Sequence, residues 1–183
     1  GDFWEVTAQM YSSLFEKPKM SEKLLSKPPF KYIFDIIAET SKVIPLLFSN
    51  HNFVLKGHGF AKGLLKGEEA SSDYYNDKER KIEYLKKFIY LTSIMLNEEI
   101  EAKPNKIVAG VEPEKTNQFL QCVYRAAVSG EDSGPYVAKA SFTFEREEIS
   151  YFFIDSEKIG GGDAGGEEEV KQEEAPKKKV TLN

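Results

Sequence analysis

The chain has 183 residues, a net charge of −5, and 13% aromatic against 30% charged residues. That length suits one domain with a tail, and the acidic balance argues against a general nucleic-acid binder. Cys122 stands alone, which excludes an internal disulfide and fits a reducing compartment, and no uninterrupted apolar run is long enough for a membrane-spanning helix. The charge is uneven: residues 1–66 carry a local balance of +3, 67–154 of −5 and the remainder of −3. A basic first third on an acidic protein suits an acidic protein partner, reached through attraction that salt screens.

The opening Gly1-Asp2-Phe3-Trp4 has no basic stretch followed by an apolar one, so it is not a secretory signal. It also lacks an initiator Met, and the chain reads as a fragment of something longer or as one trimmed only at its start. Asp2 caps a first helix expected to run to about Glu16, with Phe3, Val6, Met10 and Leu14 on one face and Trp4, Tyr11 and Phe15 flanking it. Lys17-Pro18 ends that helix. Ser21 and Glu22 open a short helical turn carrying Leu24 and Leu25, and Pro28-Pro29 forms a rigid corner with Pro29 at the first helical position. The next helix is expected to reach about Val43, using Phe30, Ile33, Phe34, Ile37 and Ala38.

Asp77 caps the longest helix, about Lys78 to Leu96, with Ile82, Leu85, Ile89 and Met95 inward and Lys78, Lys81 and Lys86 outward. Pro113 and Glu114 begin another helix, whose inward stripe is Phe119, Leu120, Val123 and Ala127 and whose stop is Gly130. Four substantial helices with short helical connectors and little strand make the class all-α: a compact helical bundle followed by a disordered C-terminal tail. Two segments resist the scheme. Ile44 to His58 is apolar without period, and Ser141 to Ile154 reads either as strand or as the extension of a helix begun near Pro135. Residues 160–183 combine Gly160-Gly161-Gly162, Glu167-Glu168-Glu169 and Lys177-Lys178-Lys179 with few large apolar groups, so they read as a disordered linker.

Chemistry-bearing patterns are few. His51 and His58 have no cysteine or acid between them, and read as incidental loop histidines and not as metal ligands. Cys122 sits among Phe119, Leu120 and Val123 as a small buried hydrophobe. Gly57, Gly59 and Gly63 lead into Leu-Leu-Lys and lack the Lys-Ser or Lys-Thr of a phosphate loop. Glu98, Glu99 and Glu101 follow a helix end as solvated carboxylates, and no calcium-loop pattern is present. No enzyme activity, cofactor or metal is expected. Lys17, Lys19, Lys23, Lys27 and Lys31 fall close together over two turns and two helix starts, as ordinary solubilising surface or as a docking face.

The wording Lys23 to Ile37 (KLLSKPPFKYIFDII) and Lys103 to Gln121 (KPNKIVAGVEPEKTNQFLQ) resembles the N-terminal calponin-homology (CH) domain of the microtubule-interacting, TRAF-binding subunit family of intraflagellar transport complex B. Gly59 to Leu65 and Asp77 to Ile89 resemble the intervening parts. The likeness covers about two thirds of the folded portion. It implies a CH-like domain over 1–159 in which 44–58 and 141–157 are insertions, either lineage-specific loops or translated intron. It implies further a non-catalytic tubulin- and microtubule-binding adaptor in cilium assembly, found at the cilium, the ciliary base and the cytoplasm and associated with the cytoskeleton. Other transport-complex subunits would bind through regions absent from this chain. The expected tubulin-binding residues are Lys23, Lys27 and Lys31 in the first block and Lys103, Lys106 and Lys115 in the second. An alternative is a module that docks other transport subunits or a motor, and a third reading is an actin-binding CH domain. Thr116 and Asn117 are expected to serve helix entry or packing, and Pro28, Pro29 and Phe30 to be structural.

Overall fold

The computed structural model describes residues 2–47 and 59–146, with side chains through residue 42 in the first stretch. Seven α-helices form there, and no strand occurs among the described residues: α1 (Phe3–Ser12), α2 (Glu22–Ser26), α3 (Phe30–Leu47), α4 (Lys78–Leu96), α5 (Pro104–Ala109), α6 (Pro113–Val128) and α7 (Gly134–Glu145). Short 3-10 turns at Gly67–Ala70 and Ser72–Tyr74 lead into α4. The chain divides into two units, 1–141 and 142–183, and of the second only residues 142–146, which include the end of α7, are described. The segments 48–58 and 147–157, most of the two expected insertions, lie outside the described residues, as do His51, His58 and the 160–183 tail.

The helix α6 is the axle of the first unit. Asn117, Phe119, Leu120 and Val123 are fully buried, and Thr116, Cys122, Ala126 and Ala127 nearly so, because α1, α2, α3 and α4 all pack against it. Full burial of Phe119 and Leu120 alone is worth about 2 kcal/mol each relative to exposure. The polar residues on this helix are placed with partners. Asn117 donates through Nδ2 to the carbonyls of Leu25 (2.8 Å) and Pro113 (2.9 Å), which leaves its buried Oδ1 without a partner. Gln121 donates to Thr7 Oγ1 (3.0 Å) and to the Phe3 carbonyl (3.3 Å), and the Leu120 carbonyl accepts from the fully buried Tyr11 hydroxyl.

Those bonds overturn the expected face of α1. Phe3 and Val6 are exposed, and Thr7 and Tyr11 point inward, because the groups α6 offers there are an amide and a carbonyl that need hydroxyl partners. The helix also stops at Ser12 instead of Glu16, where Leu14 and Phe15 turn back onto the Tyr11 carbonyl. At the starts of α2 and α4 the chemistry is as read. Ser21 Oγ accepts from Leu24 N (3.3 Å), and Asp77 Oδ1 accepts from Arg80 N (2.8 Å). The Pro29 carbonyl accepts from Ile33 N, so Pro29 stands one place before the helix begun by Phe30, one residue short of the first helical position expected of it.

The helix α3 runs four residues beyond Val43, through Pro45 to Leu47. Proline has no N–H to give the Ser41 carbonyl, so that oxygen is released from the helical ladder. The chain returns against it: a Cβ on Gly59 would overlap the Ser41 carbonyl oxygen, so only glycine fits. The following turn is fixed by Ser133, whose buried Oγ accepts from Ala61 N at 3.0 Å at the entry to α7. Beside it, Tyr84 on α4 collects Phe88, Tyr75, Phe30 and Phe34 at ring distances of 4.7, 5.1, 5.2 and 5.3 Å. On α4, Leu85, Ile89 and Met95 are buried as expected; Ile82 is half-buried and Lys86 lies partly covered, its side chain only 22% exposed.

Replacing Asn117 by Ala strands the Leu25 carbonyl and should cost about 2 kcal/mol in urea denaturation, with far-UV circular dichroism unchanged in native buffer. Burial holds the hydroxyls of Tyr11 and Tyr84 well above the ordinary tyrosine value of 10.0. Nearby Cys122 and Tyr124 add to the shift at Tyr11, and Tyr75 and Asp35 add to it at Tyr84. The unfolded chain therefore loses these protons first, so this contribution to stability is whole below about pH 10 and declines above it. Absorbance at 295 nm should show native tyrosines ionising later than in urea, with alkaline unfolding releasing the remainder; coincident titrations would contradict the burial.

Candidate functional site

In the short helix α2 the Leu25 carbonyl accepts from Asn117 of α6, and Lys27, just past the helix end, is exposed at the Pro28-Pro29 corner. Its aliphatic stem crosses the turn between α5 and α6: a Cβ on Gly110 would stand 3.0 Å from Lys27 Cε and 3.9 Å from Cγ. Gly110 has φ +76° and closes α5 through its N–H to the Ile107 carbonyl (3.0 Å), followed by Val111 N to the Lys106 carbonyl (3.1 Å). Glu112 then takes φ 54°, ψ 54°, and Pro113 starts α6. This tight reversal carries two more lysines. Lys106 Nζ lies 3.8 Å from Glu112 Oε2, and Lys115 Nζ 3.6 Å from Glu112 Oε1.

Of the six expected lysines, the fold thus brings Lys27, Lys106 and Lys115 together around Gly110 and Glu112. Lys23 is exposed one turn before Lys27 on α2, and Lys103 is half-buried directly before Pro104, one turn before Lys106. Lys31 is turned toward its own helix, 2.8 Å from Asp35. Among the described residues Lys23, Lys27 and Lys103 make no ion pair, whereas Lys31, Lys106 and Lys115 do. The pairs are superficial: the side chains are 68% exposed at Lys31, 45% at Lys106, 41% at Lys115 and 35% at Glu112. Contacts of that exposure are worth about 0.2–1 kcal/mol each and compete poorly with an incoming polyanion. Gly110 and Glu112 were not singled out from the sequence; the signal available was an acid three residues before Lys115, next to a helix-starting proline.

Elsewhere, a shallow cleft of about 190 Å3 is lined by Glu69, Tyr74, Tyr75, Glu79, Arg80 and Lys87 among others. Its cations are engaged within the protein: Arg80 lies 4.2 Å above the Tyr74 ring and bonds the Tyr74 carbonyl, and Lys87 bonds both Glu69 oxygens at 3.1 and 3.2 Å. Glu98 is also engaged, in a bidentate pair with Arg125 at 2.7 and 2.9 Å that ties the end of α4 to α6 and holds the carboxyl below its usual range. Cys122 is buried and its thiol is pushed up by that burial, with Arg125 beside it acting in the opposite direction. No group of three metal-ligating side chains and no helix long and apolar enough to cross a membrane occurs among the described residues.

The described residues thus form an all-helical unit wound on one buried helix, the architecture of a CH-like domain. Residues 3–129 match the model of the microtubule-binding protein MIP-T3 CH-like domain family, and the chain belongs to that family. It is similar to TRAF3-interacting protein 1 of Danio rerio, 39% identical over 123 residues, and to TRAF3-interacting protein 1 of Rattus norvegicus and Mus musculus, each 37% identical over 123 residues. The match takes in 67% of this chain and 17% of the length of those relatives.

Gly110→Ala tests the turn. A methyl group there meets Lys27 and forces an L side chain into the left-handed region, at a cost of about 1–2 kcal/mol. Thermal denaturation should show the loss, and the side-chain resonances of Lys27 should shift by nuclear magnetic resonance (NMR) while those of Lys42, on α3, stay in place.

Proposed function

We propose that this chain is a non-catalytic tubulin- and microtubule-binding domain, part of an adaptor in the intraflagellar transport machinery that acts in cilium assembly. The observation that carries the reading is the meeting of Lys27 with Lys106 and Lys115 across Gly110, two segments far apart in sequence that converge on one basic corner. Lys23 and Lys103 extend it along α2 and into α5, and Lys31 adds a charge beyond the proline corner. Membership of a family described as microtubule-binding CH-like domains supports the partner, and the TRAF3-interacting protein 1 relatives support an adaptor. Cilium and cytoskeleton are the corresponding locations, and other transport-complex subunits bind through parts of the protein outside this chain. Mechanistically, exposed ammonium groups steer and hold an acidic surface without any bond being made or broken.

The test is binding of the purified chain to tubulin dimers across a salt series, with actin as a parallel arm. Affinity should fall steadily with rising ionic strength. The triple variant Lys27→Glu, Lys106→Glu, Lys115→Glu should lose at least about tenfold at low salt, from several pair interactions of modest size acting together. Lys31→Glu alone should cost less, because that ammonium already bonds Asp35. Binding that ignores both salt and the triple substitution removes the mechanism, and transport subunits binding where tubulin does not would turn the reading to a docking module.

A further inference from the structure

The carboxylate of Glu112 occupies a position with unusual features. Glutamate rarely takes a left-handed backbone, yet Glu112 holds φ 54°, ψ 54° at the entrance to the sixteen-residue α6. It stands at the capping position without its side chain capping anything. Instead its two oxygens reach Lys106 and Lys115 at 3.8 and 3.6 Å. Both separations exceed the roughly 2.7–2.9 Å of a charge-assisted hydrogen bond. Some ion pairs of this protein close to that range, as Lys31 with Asp35 at 2.8 Å and Arg125 with Glu98 at 2.7 Å. Arg80 with Asp77 (3.7 Å) and Lys86 with Glu83 (3.5 Å) are as long as those of Glu112, but in neither does one carboxylate lie between two ammonium groups. Glu112 is therefore centred between two ammonium groups and tightly bonded to neither. A third ammonium is at hand, because the Lys27 stem lies on Gly110, two residues before Glu112. The first turn of α6 adds partial positive charge.

We propose that this position is a carboxylate-binding subsite, and that Glu112 is an internal stand-in displaced by a carboxylate of the partner. Rotation of its side chain clears the space, since the backbone on either side is fixed by Gly110 and Pro113. The ligand it fits is a Glu-rich peptide in which one carboxylate bridges Lys106 and Lys115 while a neighbour reaches Lys27. Glu112 then sets a threshold: an isolated acid gains no more than Glu112 gives up, and only closely spaced acids exceed it. This deepens the tubulin reading and rests on it for the identity of the natural partner, but not for the subsite itself.

The probe is a synthetic poly-glutamate peptide, measured by calorimetry beside tubulin dimers. Glu112→Gln should tighten peptide binding by about three- to tenfold, since two weak exposed pairs no longer compete. Glu131→Gln makes the same charge change beyond the far end of α6 and should tighten it by less than twofold. Adding Lys106→Gln and Lys115→Gln to Glu112→Gln should abolish the gain. NMR of the lysine ammonium groups in the unaltered chain should show Lys106 and Lys115 perturbed on peptide addition, which reads the site even if a variant folds poorly. Equal gains from Glu112→Gln and Glu131→Gln, or a gain that survives loss of both lysines, overturns the subsite. Peptide results as expected without tubulin binding would leave the subsite standing and remove the tubulin reading. Salt-dependent tubulin binding with no effect of Glu112→Gln would do the reverse.

Discussion

The Asn117 amide, wholly buried on α6, gives one hydrogen to the last turn of α2 and the other to its own first turn. The first of these bonds joins residues 92 apart in the chain. It sets how α2 ends, hence where the Pro28-Pro29 corner lies, hence which lysine rests on Gly110. A buried amide is costly unless its hydrogens find acceptors, so it specifies one arrangement of the two helices where apolar contacts would accept several. The orphaned Oδ1 is the residual cost of that specification. The surface chemistry of the domain is in this sense an outgrowth of its interior.

The rest of the core divides its labour by chemistry. Around Tyr84, aromatic rings meet edge-on or tilted, supplying much buried apolar area with few rotatable bonds. Where α1 lies on α6 hydrogen bonds through Tyr11, Thr7 and Gln121 accompany the edge contact of the buried Tyr11 ring with Tyr124. At the rear, the Glu98–Arg125 fork and the left-handed Asn97 tie off α4. The basic corner has no comparable fork; its ion pairs, no more exposed than that one, are longer, at 3.8 and 3.6 Å against 2.7 Å. Loosely engaged ammonium groups on that corner are what the proposed docking of an acidic partner rests on.

How much of this was legible in the sequence depended on whether the information was local. Asp77 before a polar-apolar period located α4 to the residue, and Phe119, Leu120, Val123 and Ala127 identified the inward stripe of α6. The likeness to the CH-domain family, read from the Lys23 and Lys103 blocks, agreed with the family match. The face of α1 was illegible because Phe3 and Val6 are apolar and Thr7, equally well spaced with Tyr11 for a helical face, is polar; what turned the helix was a partner on α6. The continuation of α3 through Pro45 was hidden for a related reason, since the Ser41 carbonyl that the proline releases is covered by Gly59 from elsewhere in the chain. At the site, six lysines were readable as a list. Their grouping was not, because it depends on positive φ at Gly110 and Glu112 and on a helix contact across the molecule.

Trp4 is the single tryptophan of the chain, and it sits half-buried on α1 while the aromatic cluster lies around Tyr84 on α4. The first helix is fastened by hydrogen bonds and by the buried Tyr11 ring, and its outer face shows Phe3 and Val6 to solvent. Indole emission is consequently a local gauge of how α1 sits on α6. Detachment of that helix would register as a spectral shift even with the tyrosine-rich interior intact, so fluorescence and circular dichroism would report two separate events in one small domain.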